Sequence, residues 1–160
     1  MLVSELESYP PYYEEAYKKL PTNFPLLQLL SDRIKYIEFY REIPDSQWTY
    51  SYAEGKWSIK KLVRHILDAE LIFCFRALST VRGEQKSLMG WDPDAYAETI
   101  DESSLIKDSL LTSLKLQMRL TLDLFTSFSN VDLKKIANAN GFDTEVAAMG
   151  FSIIAHEMHH

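Results

Sequence analysis

The stretch GEQKSLMGWDPDAYAETIDE, residues 83–102, decides how the helices around it are arranged. It is rich in Gly, Pro and Asp, and it parts two long helical patterns by about twenty residues where antiparallel neighbours in a bundle need only a short link. An extended chain covers ~3.3 Å per residue, so the segment can travel the ~36 Å length of a helix of about 24 residues. A parallel pair on either side of it is therefore allowed.

Upstream of this crossover, KWSIKKLVRHILDAELIFCFRALSTVRG (residues 56–83) places apolar residues at Ile59, Leu62, Val63, Ile66, Ala69, Ile72 and Phe73. That is one face of a helix, with Ser58 as N-cap and Gly83 just past its end. Downstream, SSLIKDSLLTSLKLQMRLTLDLFTSF (103–128) repeats the spacing at Ile106, Leu110, Leu114, Met118 and Phe125. Ahead of both, TNFPLLQLLSDRIKYIEFYREI (22–43) predicts a first helix through Leu26, Leu27, Leu30, Ile34, Ile37 and Ile43, with Asn23 as N-cap and Pro25 in its first turn. After the turn-rich NANGFDT (138–144), Thr144 can cap a last helix running through Val146, Met149, Ile153, His156 and His160. No alternating stretch of useful length competes, so the chain reads as an all-α bundle of four helices, whose long helix 2–helix 3 crossover allows the order up-down-down-up.

With 160 residues, 46% of them hydrophobic, the chain fits one domain spanning 1–160. Residues 1–20 form an extension whose tyrosine cluster, YPPYYEEAY, packs across the bundle or at a homodimer contact. Seventeen basic and twenty-three acidic residues give a net charge of −6 without a basic block, which argues against nucleic acid as a partner. No segment resembles a signal peptide or a membrane span, and the lone Cys74 excludes both a disulfide framework and a thiolate zinc cluster. A cytoplasmic protein without a membrane partner is expected, and any metal must be held by His, Asp or Glu.

The sequence ends on FSIIAHEMHH, which contains His156-Glu157-Met158-His159-His160. Its letters are those of the H-E-x-x-H zinc-peptidase helix, in which two histidines one turn apart hold the metal and the glutamate activates water. His156 and His160 differ by ~40° in direction, so both can reach one ion, whereas His159 falls about 80° off their bisector. A peptidase also needs a third ligand downstream and a strand to pair with its substrate. Neither is present in the sequence. The remaining histidine, His65, lies roughly 10 Å into helix 2, and an antiparallel helix 4 brings His156 and His160 to a height of ~12–18 Å on the same scale. Three histidines thus converge near one end of the bundle.

The segments YAEGKWSIKKLVRHILDAE and ANANGFDTEVAAMGFSIIAHEMHH, together with the Trp91-Asp92 loop and the long crossover, resemble the DinB superfamily, especially its YfiT-like putative metal-dependent hydrolases. The resemblance covers roughly residues 20–160. It implies a divalent metal on His65, His156 and His160, and an up-down-down-up bundle. It also implies chemistry on a small-molecule substrate, since characterised members include thiol S-transferases that use a low-molecular-weight thiol as co-substrate. Members continue the last helix beyond the second histidine of the pair, a departure that leaves His160 in the final position here.

Three neutral imidazoles leave a position open on the ion, as catalytic sites do. A water there serves hydrolysis; a thiolate serves transfer. The donor set suits Zn, Ni or Fe and accepts Mn. A metal that only locks helix 2 to helix 4 in a structural, dimeric protein is the alternative from another class, and a closed ligand shell would favour it. Glu157 is expected to be solvated or to sit behind the ligands, and Cys74 to be a small core residue facing away from the metal. Arg76 shares the His65 face ~16 Å farther along and is expected to pair with a carboxylate of helix 3, with substrate binding as the alternative. Trp57 and Trp91 read as packing anchors by themselves, but the resemblance places their loops around the pocket and makes them candidate substrate-binding residues. Glu14, Glu15, Asp101 and Glu102 are taken as solvated.

Overall fold

The computed structural model describes residues 1–160. In chain order its elements are α1 (Glu14–Tyr17), α2 (Leu26–Asp32), α3 (Tyr36–Glu42), α4 (Ile59–Val81), α5 (Pro93–Glu98), α6 (Lys107–Thr126), α7 (Asn130–Leu133), β1 (Ile136–Ala139), β2 (Phe142–Glu145) and α8 (Val146–His159). The expected first helix is α2 and α3 joined through a 3-10 turn at Arg33–Lys35, and the other three are α4, α6 and α8. No helix is long and apolar enough to cross a membrane.

Contacts along the helices fix their directions. Ser58, the N-cap of α4, donates to Glu102 Oε2 at 2.5 Å just ahead of α6, while Cys74 and Thr121 meet in the C-terminal halves of the same two helices at 3.3 Å. Helices α4 and α6 are therefore parallel. His65, early in α4, meets His156, late in α8, and the Val81 carbonyl at the far end of α4 accepts from Lys135, whose own carbonyl accepts from the Val146 amide. Helix α8 thus runs against α4. Lys107, at the start of α6, donates to the Ile43 carbonyl at 2.7 Å just past α3, so the first helix also runs against α4 and α6. The order is up-down-down-up.

The buried face of the first helix holds a charged residue. At ~100° per residue Arg33 falls about 20° from Leu26, whereas Ile34 falls about 80° away. Leu26, Leu30 and Ile37 are buried as the apolar pattern requires, but Ile34 is 39% exposed and Arg33 lies inside at 1%. Arg33, Glu70 and Glu157 form a buried polar layer with Thr121. This layer separates one apolar cluster, around Leu26, Phe73, Phe125 and Phe151, from another around Ile37, Trp48, Ile66 and Met118.

Several local expectations are corrected. Pro25, not Asn23, is the N-cap of α2, and Glu145, not Thr144, is the N-cap of α8. Ser58 and Gly83 stand where expected, the serine accepting from the Lys61 amide. Glu102 is not simply solvated: besides receiving Ser58, its carbonyl accepts from Lys60. The turn-rich segment ahead of α8 is an antiparallel hairpin, β1–β2, with Ile136 opposite Glu145 and Ala139 opposite Phe142. Its two-residue turn puts Asn140 at φ 54° and Gly141 at φ 84°. That geometry, set by an Asn-Gly pair, matches the twist of the strands.

The hairpin anchors the crossover. Leu88 donates to the Asn138 carbonyl at 2.8 Å and accepts from the Asn140 amide at 3.0 Å. Gly90 permits the close approach, because a Cβ there would lie 2.1 Å from Asn140 Oδ1. Asp92 then caps α5 by accepting from the Asp94 and Ala95 amides, with Pro93 in the first turn. Trp91 is held between these two fixed points. The N-terminal extension packs on α8 through Tyr17, whose hydroxyl donates to the Ala148 carbonyl at 2.8 Å and meets Ser152 Oγ at 2.7 Å.

Candidate functional site

His65 is reached in the second turn of α4, and its side chain is buried because α8 and the Trp57 and Trp91 rings close over it. His156 and His160 stand one turn apart at the end of α8. The Nε2 atoms of His65 and His156 are 2.9 Å apart, and those of His156 and His160 are 3.2 Å apart. One ligand atom from each of the three lies within 4.8 Å of the others, and no fourth His, Cys, Asp or Glu joins the group. His159 lies beside His160, ring centroids 5.1 Å apart, but outside the cluster.

Electrostatics keep these rings neutral. Burial lowers the His65 pKa, and burial with the neighbouring histidines pushes His156 down to about 3 and His160 to about 4. Each ring therefore keeps one nitrogen lone pair at neutral pH. Two nitrogens that share an ion at ~2.0–2.1 Å lie ~2.9–3.4 Å apart for right-angle to tetrahedral geometry. The two short separations observed fall in that range, so the residues present fit a divalent cation.

The cluster forms one wall of a cavity of about 350 Å³. Trp57 stands 4.7 Å from the His65 ring, Trp91 stacks on it at 5.7 Å, and Phe73 lies 6.3 Å from His156. Both tryptophans named from sequence thus line the pocket. Its other lining residues include Tyr12 and Tyr13 from the N-terminal extension, Asn140 from the hairpin turn, and Arg76. A second cleft, of about 500 Å³ and lined by Tyr50, Tyr52 and Lys56, shares Trp57, His159 and His160 with the first.

Two expectations about charged residues fail. Arg76 pairs with no helix-3 carboxylate; its one hydrogen bond is Nη2 to the Met89 carbonyl at 2.6 Å, because the crossover rather than α6 lies over this part of α4. Glu157 is not solvated. It is 6% exposed, and its Oε2 accepts from Arg33 Nε at 2.6 Å, while Arg33 also donates to both Glu70 oxygens at 2.9 and 2.6 Å. Burial raises the Glu157 pKa and Arg33 opposes the rise. Its carboxylate is committed to the bundle core and lines neither cleft. Cys74 faces Thr121 on α6, away from the histidines as expected, but is only partly buried.

Sequence reasoning missed pocket residues both from outside the four helices and, in Phe73 and Arg76, from α4 itself. Nothing in the local pattern of Tyr12, Tyr13 or Asn140 marks them as pocket residues, since a tertiary fold is needed to bring them there. For Arg76 a signal was present, because it shares the face of His65.

Comparison with known proteins places the chain. The family described as the DinB superfamily matches residues 28–160. A protein of Oceanobacillus iheyensis, whose name proposes it to be a metal-dependent hydrolase, is 24% identical over 124 residues, covering 77% of this chain and 71% of that one. The solved structure of YfiT from Bacillus subtilis, described as a probable metal-dependent hydrolase with an unusual four-helix bundle topology, superposes with a TM-score of 0.72 at 18% identity, covering 88% of this chain and 86% of its own. The family model spans most of the sequence and the four-helix fold agrees with it: the chain belongs to the DinB superfamily.

Proposed function

We propose that His65, His156 and His160 hold a divalent metal ion at the wall of the pocket, and that the protein is a metal-dependent hydrolase acting on a small molecule. The observation that carries this is the convergence of three neutral imidazole nitrogens, with no fourth protein donor, beside a cavity of molecular size. The names of the two relatives support the same class. An ion bound there would supply Lewis acidity and lower the pKa of a water or thiol beside it. The imidazoles suit Zn, Ni or Fe and accept Mn. Trp57, Phe73 and Trp91 would flank the substrate and keep bulk water from its apolar part.

Thiol S-transfer is the second reading, and one observation favours it: the adjoining cleft shares Trp57 and His160 with the pocket, leaving room for a thiol co-substrate beside the acceptor. A purely structural metal is disfavoured because no protein group closes the ligand set. Peptidase chemistry is disfavoured by Glu157, whose carboxylate is held by Arg33 in the core.

Elemental analysis of the purified protein and of single alanine variants tests the metal site. His65→Ala, His156→Ala and His160→Ala should each lose stoichiometric metal, and His159→Ala should keep it. Full metal in His65→Ala would refute the site. Parallel panels of amides and esters, and of electrophiles offered with thiols, then separate hydrolysis from transfer.

A further inference from the structure

Two arginines are buried in this protein, and they differ in what surrounds them. Arg33, 1% exposed, is matched by Glu70 and Glu157. Arg76, 6% exposed, has no carboxylate partner: Nη2 donates to the Met89 carbonyl and Nε is buried with nothing to donate to. A buried charge is normally paired, because desolvation otherwise opposes it. Burial accordingly lowers the Arg76 pKa, though an arginine remains charged at neutral pH. The residue lines the same cavity as His65 and His156, and no Asp or Glu lines that cavity with it.

We propose that Arg76 is the receptor for a carboxylate on the small molecule that occupies this pocket. The inference rests on the pocket being the reaction site and specifies the class of its ligand. A guanidinium with free donors suits a planar carboxylate, which it can bind through two parallel hydrogen bonds. Arg76 stands eleven residues beyond His65 on one helix face, ~16 Å by helical rise, and long helical side chains lean back toward the N-terminus. The carboxylate would therefore sit on the order of 10 Å from the histidine nitrogens. Between them Phe73, on the same helix, and Trp91, which stacks on His65 two residues after the Met89 that holds Arg76, line the cavity, so the middle of the ligand is apolar or aromatic. The ligand class is a small organic acid that reacts at the end remote from its carboxylate. Either the acceptor or a thiol co-substrate can carry that acid group.

Fluorescence of Trp57 and Trp91 provides a binding signal independent of turnover. The full-length protein with its metal, and Arg76→Gln, are titrated with 4-phenylbutanoate and its neutral amide, and with glutathione and its diethyl ester. Metal content and circular dichroism are recorded on the same samples. At least one acid should bind about tenfold more weakly to Arg76→Gln, with its neutral counterpart unchanged. Loss for 4-phenylbutanoate assigns the carboxylate to the acceptor; loss for glutathione assigns it to the thiol. Equal binding of both acids to the two proteins overturns the inference, as does wild-type protein that prefers neither acid to its neutral form. Acid binding that survives in Arg76→Gln with metal in place sinks this inference alone, whereas wild-type protein without metal sinks the proposed function and leaves the probe comparison readable. Should Arg76→Gln not fold, Arg76→Lys carries the test, and unchanged affinity for both acids overturns the proposal.

Discussion

Replacing Glu157 with Gln tests whether the H-E-x-x-H spelling carries peptidase chemistry. In the structure Glu157 Oε2 accepts from Arg33 Nε at 2.6 Å, and its Oε1 is buried without a partner. Glutamine has the same shape, and its oxygen can keep the bond to Arg33. Its NH₂ then replaces an oxygen that is already unpartnered, so no new unsatisfied group arises, but the bond to Arg33 loses its charge assistance, a cost of about 1–2 kcal/mol. Against this, the change removes one of two negative charges that face a single arginine, leaving Arg33 and Glu70 as a matched pair. These effects oppose each other, so a net loss of about 1 kcal/mol is expected. Arg33→Met is far more severe, because it leaves two buried carboxylates without a countercharge, and a loss of about 3–5 kcal/mol is expected. Urea unfolding at fixed metal concentration measures both variants. Metal content and turnover on the substrate class proposed above should survive in Glu157→Gln. If that variant stays folded and metal-loaded yet loses turnover by about a hundredfold or more, the size expected of a lost general base, the placement of Glu157 as a core residue is wrong.

Gly150 lies where α8 packs tightly on Phe125 and Leu26. A Cβ there would stand 2.8 Å from Phe125 Cε1 and 2.9 Å from Leu26 Cδ2. Overpacking of this kind costs about 1–3 kcal/mol, and alanine returns about 1 kcal/mol in helix propensity, so Gly150→Ala should lose up to about 2 kcal/mol in thermal or urea unfolding, and a gain would contradict the packing. A further test concerns pH and the metal-free protein, in which His156 is held down at about 3 and His160 at about 4. An unfolded histidine titrates near 6.5, so below that pH the unfolded chain takes up protons that the folded one refuses, and stability falls as pH drops toward the folded values. Between about pH 6.5 and about pH 5, His156 alone should account for a loss on the order of 1–2 kcal/mol, and that loss should shrink in His156→Ala. An unchanged slope in the variant would show that other groups govern the acid response.

The sequence by itself determined the four helices, allowed their order and brought three histidines to one height, and there is a physical reason. Helical periodicity is local, the reach of a twenty-residue crossover follows from chain geometry, and a rigid rise per residue lets heights on two helices be compared without a structure. His65, His156 and His160 meet because those quantities suffice. The β1–β2 hairpin was also legible in principle, since Asn140-Gly141 is a strong turn signal, but the strands it joins are only four residues each and their alternation is weak. The fate of the charged residues depended on the tertiary structure alone. Arg33, Arg76, Glu70 and Glu157 are all buried, yet only three of them find one another. Whether an ionisable side chain is solvated, paired or left waiting depends on which distant segments desolvate it and what they offer in exchange. Here the crossover covers Arg76 with a carbonyl but no carboxylate, and only the assembled fold could show that.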